Sequence, residues 1–259
     1  MARRKVAFDA SPTSWQELER FVAQFFREMG CETSVGRTVS LPRGSVKVDV
    51  LVEDPIISPA ARYVIECKYW RRRVPKEVVH AFRTVTNEIG ADRGFLVATG
   101  GFQVGAKEAA VSTNVQLVTW AQLQTLYFDR WLATTTAPFH AMSRRIAVML
   151  AYPEKDDFSD NTMWRGRDLI GDSWSELEEL RTRYAALTTW ALVKAGVPVS
   201  MYLKFALPMQ LAGAPTRFTS YRTLVDWFPL LYRDAENVAQ RFLEEKTALR
   251  PTWDGSRTS

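Results

Sequence analysis

From Ser14 onward apolar residues fall at positions 15, 18, 21, 22, 25, 26 and 29, the spacing of one helix face, and the run ends at Gly30. Ser14 and Glu17 stand at capping-box spacing, so Glu17 reads as a cap. At about 100° per residue, Glu19 lands on the flank of the apolar stripe near Phe26, where an acid can face a sheet. Two strand-length apolar runs follow, 46–52 and 63–69, joined by a polar segment holding Pro55 and Pro59. That segment reads as a hairpin loop or a slightly longer excursion, with antiparallel pairing as its consequence. Residues 76–89 place Val78, Val79, Phe82, Val85 and Ile89 on one helix face and stop at Gly90. The continuously apolar stretch 94–99 predicts a strand buried on both faces, as in a parallel central position between helices. A helix over about 104–111, a strand over 115–118 and a helix over about 120–132 complete the layer.

Beyond residue 133 the pattern changes. Residues 134–138, Thr-Thr-Thr-Ala-Pro, read as a linker, so the chain divides into 1–133 and a mainly helical 134–259. Within the latter, 146–152 is a short apolar run of strand or helix, and 154–160 an acidic loop. Helices are expected over 174–195, 218–232 and 234–249. Six of the nine tryptophans follow Arg130, as a helical core or a protein interface would place them, the core being favoured.

The charges inside the first two strands change the picture. In an extended chain Glu66 and Lys68 share a face with Val64, while Lys47, Asp49 and Leu51 share one face of the preceding strand. Adjacent strands can thus bring Asp49, Glu66 and Lys68 together. Such charges are costly at strand centres unless paired or metal-bound, and a divalent cation would supply the compensation.

The Asp49, Glu66-x-Lys68 pattern resembles the PD-(D/E)xK nuclease superfamily, and the surrounding text is similar to the Mrr-like restriction endonuclease family. The helix at 19–30, the sequence Gly-Ala-Asp-Arg-Gly-Phe-Leu-Val-Ala-Thr-Gly-Gly-Phe at 90–102, and then Gly105, Ala106 and Ala109 follow the family's order. The resemblance spans roughly residues 14–130 and departs from the family pattern at 42–47, Pro-Arg-Gly-Ser-Val-Lys, where a Gly-rich, acidic approach to the first Asp is usual. It implies an α/β restriction-endonuclease-like core of order α-β-β-β-α-β, a central mixed sheet flanked by helices, with a mainly helical carboxy-terminal region. It further implies a magnesium-dependent endonuclease acting on DNA, manganese being a possible substitute. Asp49 and Glu66 would bind the metal together with the Cys67 carbonyl, Lys68 would orient or deprotonate water, and Glu19 would support metal or water. Defence against foreign DNA is the implied role, with the carboxy-terminal half setting target choice, a homodimer or contact with a partner protein. A repair or junction-resolving nuclease and a non-cutting binding module remain as alternatives.

Charge adds a little. The net charge is +5, and residues 1–130 hold 18 Lys/Arg against 14 Asp/Glu. Arg71, Arg72, Arg73 and Lys76 directly follow the Glu66 strand, either as a solvated loop or as contacts to phosphate. Tyr69 and Trp70 either stack on a base or pack. Gly100 and Gly101 serve backbone geometry or, as the alternative, a phosphate approach. His80, amid apolar helix neighbours, is read as structural. Two cysteines and two histidines give no zinc-ligand spacing, and the absence of a long apolar run or signal-peptide core leads to the expectation of a cytoplasmic protein without membrane contact.

Overall fold

A computed structural model describes residues 5–41, 44–150, 174–185, 187 and 220–248. The chain forms two compact units, 1–135 and 136–259.

The first unit opens with α1 (Trp15–Glu28). Its Ser14 N-cap accepts the Glu17 amide through Oγ, and the Glu17 carboxylate turns outward to take the amide and hydroxyl of Thr13 at 2.7 and 2.6 Å. Then come β1 (Glu32–Leu41), β2 (Gly44–Asp54), β3 (Ala61–Lys68), α2 (Lys76–Glu88), β4 (Arg93–Ala98), α3 (Val104–Ala110), β5 (Val115–Val118) and α4 (Trp120–Met149). The sheet runs β1-β2-β3-β4-β5. β1, β2 and β3 pair antiparallel, whereas β3, β4 and β5 are parallel. It is therefore mixed, and the order up to β4 is α-β-β-β-α-β. β4 lies between two parallel neighbours with Phe95 to Ala98 fully buried, as its unbroken apolarity predicts.

Each face of the sheet has its own packing. Tyr63 and Phe95 meet Phe26 of α1, with ring centroids at 6.1 and 6.4 Å. Val64 and Leu96, pointing the other way, pack with Val79 and Phe82 of α2 and Ala106 of α3. A buried Phe such as Phe25, Phe26 or Phe95 contributes about 1.5–3 kcal/mol. The far end of β2 is tied to α4 by a buried ion pair: Arg130 Nη2 donates to Asp54 Oδ1 at 2.8 Å, and Asp54 is wholly buried.

Several expectations need correction. β1 was not among the strands predicted from the residues. Its side chains are mostly exposed or half-buried, so it carries no apolar signature. Residues 134–138 are helical, inside α4, and not an irregular linker, although the division between the two units falls within them at 135/136. His80 is exposed on α2 and not packed among its apolar neighbours.

In the second unit α5 (Trp174–Arg183) and α6 (Tyr221–Ala248) are described. The two helices expected over 218–232 and 234–249 form one, with Pro229 inside it. Asp234 does not break it, since the buried Leu231, Ala235 and Ala239 keep one stripe across that point. Phe139 stacks on Phe228 at 4.0 Å, and Tyr184 Oη donates to Asp234 at 2.7 Å. The acidic segment 154–160 and the expected helix beyond residue 187 lie outside the described residues. No helix among the described residues is long and apolar enough to cross a membrane.

Candidate active site

β2 and β3 are paired from Asp54↔Ala61 up to Val50↔Ile65, and there the ladder stops. Asp49 comes next. Opposite it on β1 stands Gly36, in the left-handed region at φ +62°, and Gly36 and Asp49 drop out of a register that is regular on either side. The pleat changes here too. Val48 packs with Leu51 and Val64 in one core cluster, although strict alternation would put Val48 and Leu51 on opposite faces.

The Asp49 carboxylate takes the place of the missing rung. Its Oδ2 accepts the Cys67 amide at 2.8 Å. A strand residue's amide and carbonyl face the same side, so the Cys67 carbonyl is directed toward the same gap. The next two polar side chains complete the group: Lys68 Nζ donates to Glu66 Oε1, both side chains being mostly buried.

Glu19 approaches from α1 and is only 9% exposed. Burial is the main cause that lifts its carboxyl to about 7, and repulsion from Asp49 and Glu66 adds to it, while Lys47 and Lys68 oppose the rise. Glu66 is likewise raised, by burial first and by Asp49 second, with Lys68 pulling it down. Three acids thus feel one another in a partly dehydrated place with fewer cations than charges. Lys47, two residues before Asp49, belongs to this field and was given no role from sequence. Its same-face position beside Asp49 was the available signal.

Residues 11–127 match the family model described as restriction endonuclease, Mrr_cat. The first unit is an Mrr-like restriction endonuclease domain. That makes it a nuclease, a hydrolase with DNA as the implied substrate. No curated protein matches the chain. A crystal structure described as a protein of unknown function, AF1548, is 14% identical, covering 88% of this chain and 98% of that one, at a TM-score of 0.38. A likeness that low carries no functional information.

Restriction endonuclease domains of this type usually use divalent metals, and the donors here suit one. Carboxylate and carbonyl oxygens are hard ligands, and the mutual repulsion of the acids is what a cation relieves. Among the described residues no three His, Cys, Asp or Glu side chains converge as a metal cage. A site of two carboxylates and one main-chain oxygen does not require three.

Other predicted residues of the nuclease domain lie around this core. Arg71, Arg72, Arg73 and Lys76 are exposed beyond the end of β3. The Trp70 ring has Arg72 Cζ at 5.0 Å and Lys68 Nζ at 5.4 Å from its centroid, so it packs partly into the core while holding two cations near the site. Tyr69 is 39% exposed. Gly100 serves close backbone approach: a Cβ there would stand 2.5 Å from the Arg72 carbonyl oxygen and 2.6 Å from that of Trp70. Its role is packing of the β3 and β4 ends. The Cys67 thiol is buried and pushed well above its usual range, first by burial and then by the surrounding acids, so it is inert packing. Both cysteines are free.

Proposed function

We propose that the chain is a metal-dependent endonuclease that hydrolyses DNA phosphodiester bonds, acting in the cytoplasm against foreign DNA. What supports this reading is the joint placement of Asp49, Glu66 and Lys68 where β2 leaves β3, with the Asp49 carboxylate fixed by the Cys67 amide. Asp49, Glu66 and the Cys67 carbonyl would hold magnesium, with manganese as a substitute. The ion supplies Lewis acidity toward the phosphate and toward water.

The chain's own groups do the rest. Lys68, held by Glu66, orients the attacking water and steadies negative charge on the phosphate. As the water oxygen bonds to phosphorus, one ester P–O bond breaks and the departing oxygen takes up a proton. Glu19, with its carboxyl near neutrality, is placed to pass a proton or hold a second water. Arg71, Arg72, Arg73 and Lys76 contact flanking phosphates. Double-strand cutting calls for two such sites, so a homodimer or a partner protein engaged through the carboxy-terminal half belongs to the proposal.

The test is plasmid cleavage with magnesium or manganese. Lys68→Ala and Asp49→Ala are expected to lower the rate by at least about 10²–10³-fold, the scale of one missing transition-state donor, with circular dichroism unchanged. Full activity in either variant refutes the assignment.

A further inference from the structure

We infer that a second site, at the carboxyl ends of the parallel strands, takes a nucleotide. There a cavity of about 760 Å³ opens between residues 6–13, the ends of β3, β4 and β5, and the start of α4. Crevices outside the carboxyl ends of parallel strands are the usual ligand positions of open α/β sheets, and this volume lies within the range of small-molecule sites.

Its chemistry is that of a base and a phosphate together. Phe8, Tyr69, Trp70 and Trp120 line it with aromatic surface. Trp120 is held rigid by Phe8 and Phe25, at ring-centroid distances of 5.6 and 5.8 Å. It is 6% exposed, and its Nε1–H meets no acceptor. That N–H is closed off from solvent, so what Trp120 offers the cavity is apolar ring surface. Arg71 on the rim offers a bidentate phosphate contact, and Asp9 an acceptor for an exocyclic amine or sugar hydroxyl. The wall near Trp120 is pre-organised as well: Gln124 Oε1 takes the amides of Ala7 and Phe8 at 3.0 and 2.8 Å, fixing the segment that closes the cavity.

Tyr69 and Trp70 directly follow Lys68 in the chain. A strand whose phosphate lies at Lys68 therefore passes the mouth of this cavity, and a base unstacked there can enter it. The nucleotide is either that base with its own phosphate or a free nucleotide. The first source rests on the nuclease reading, and the second does not.

The experiment is calorimetric titration of the full chain with dAMP, with a single-stranded oligonucleotide, and with the same oligonucleotide carrying abasic positions. Ala121→Trp and Ser11→Trp fill the cavity from two different segments, and circular dichroism checks that each folds. Saturable binding of dAMP that both variants weaken by about tenfold or more, the scale of one stacked base, supports a free nucleotide. A loss confined to the oligonucleotide, matched in wild type by one abasic position, supports the strand base. Wild-type protein that binds neither probe, or folded variants that bind both as wild type does, overturns the inference. A chain that binds dAMP but cuts no DNA refutes the nuclease reading alone.

Discussion

Two acids on one strand, five residues apart, have opposite fates. Asp54, at the end of β2, is wholly buried and meets one dedicated cation, Arg130, with further bonds from Tyr63 and the Ile56 amide. The Arg130 guanidinium is the main influence holding its carboxyl below the usual range. Asp49 is half-buried and faces Glu66 and Glu19, with Lys68 already engaged by Glu66. At the first place charge is neutralised inside the protein, and the effect is to fasten α4 to the sheet. At the second the protein leaves negative charge in excess, a costly arrangement that is retained where a cation or a reacting phosphate completes it. An acid's burial says little about function by itself. The sign of its neighbours says more.

The largest effect expected from this contrast is on stability. Asp54→Asn leaves the half-buried Arg130 against a neutral partner and should cost about 3 kcal/mol, the low end of the scale for breaking one side of a buried pair because Arg130 keeps some contact with solvent. Cleavage per folded molecule should stay at the wild-type level. Denaturant unfolding and a titrated cleavage assay measure the two quantities. A variant that unfolds like wild type but no longer cuts would move Asp54 into the chemistry and undo the comparison.

The Asp49 end was legible in sequence and the Asp54 end was not, for a physical reason. Asp49, Glu66 and Lys68 interrupt apolar runs, and strand periodicity projects them onto neighbouring positions from local sequence alone. Asp54 lies in Glu53-Asp54-Pro55, which reads as the polar start of a loop, yet it is the last residue of β2. Its burial depends on Arg130, 76 residues away, and no local pattern announces such a pair. β1 was hidden likewise, since an edge strand with few buried side chains owes its existence to the ladder with β2 rather than to its own pattern. The break in the ladder at Gly36 and Asp49 was also invisible: it shows only once both strands are in register. Farther along, the segment 134–138 and the break between 232 and 234 were expected interruptions that α4 and α6 run through as continuous helices.

A smaller effect concerns pH. Glu19 has its carboxyl at about 7 in the folded, metal-free chain against an ordinary 4.5. Between those two values the folded state keeps a proton that the unfolded state has lost, so stability falls as pH rises through this window and is level above it. Glu19→Gln removes the group responsible for this penalty. The variant should therefore melt at a higher temperature than wild type above pH 7 and show a flatter melting profile between pH 5 and 7. Saturating magnesium should lower the wild-type carboxyl and shrink the difference, because a cation relieves the repulsion from Asp49 and Glu66. Parallel pH profiles for the two proteins would show that Glu19 does not share the field of the other acids.

The smallest effect is expected from the exposed arginines, which lie outside both clusters. Replacing Arg71, Arg72 and Arg73 together by Gln should leave folding unchanged and weaken binding to every duplex sequence alike. For each phosphate that is no longer neutralised, the slope of log affinity against log salt should shrink by roughly 0.9. Of the three, Arg72 has a second task, since its guanidinium shares the Trp70 ring with Lys68. Arg72→Gln alone should thus lower the cleavage rate at saturating DNA as well as affinity, whereas Arg73→Gln should change affinity only. Single-turnover rates measured alongside binding at several salt concentrations separate the two. Equal rates for both variants would reduce Arg72 to one more phosphate ligand, and a salt slope untouched by the triple replacement would take the whole loop away from the DNA.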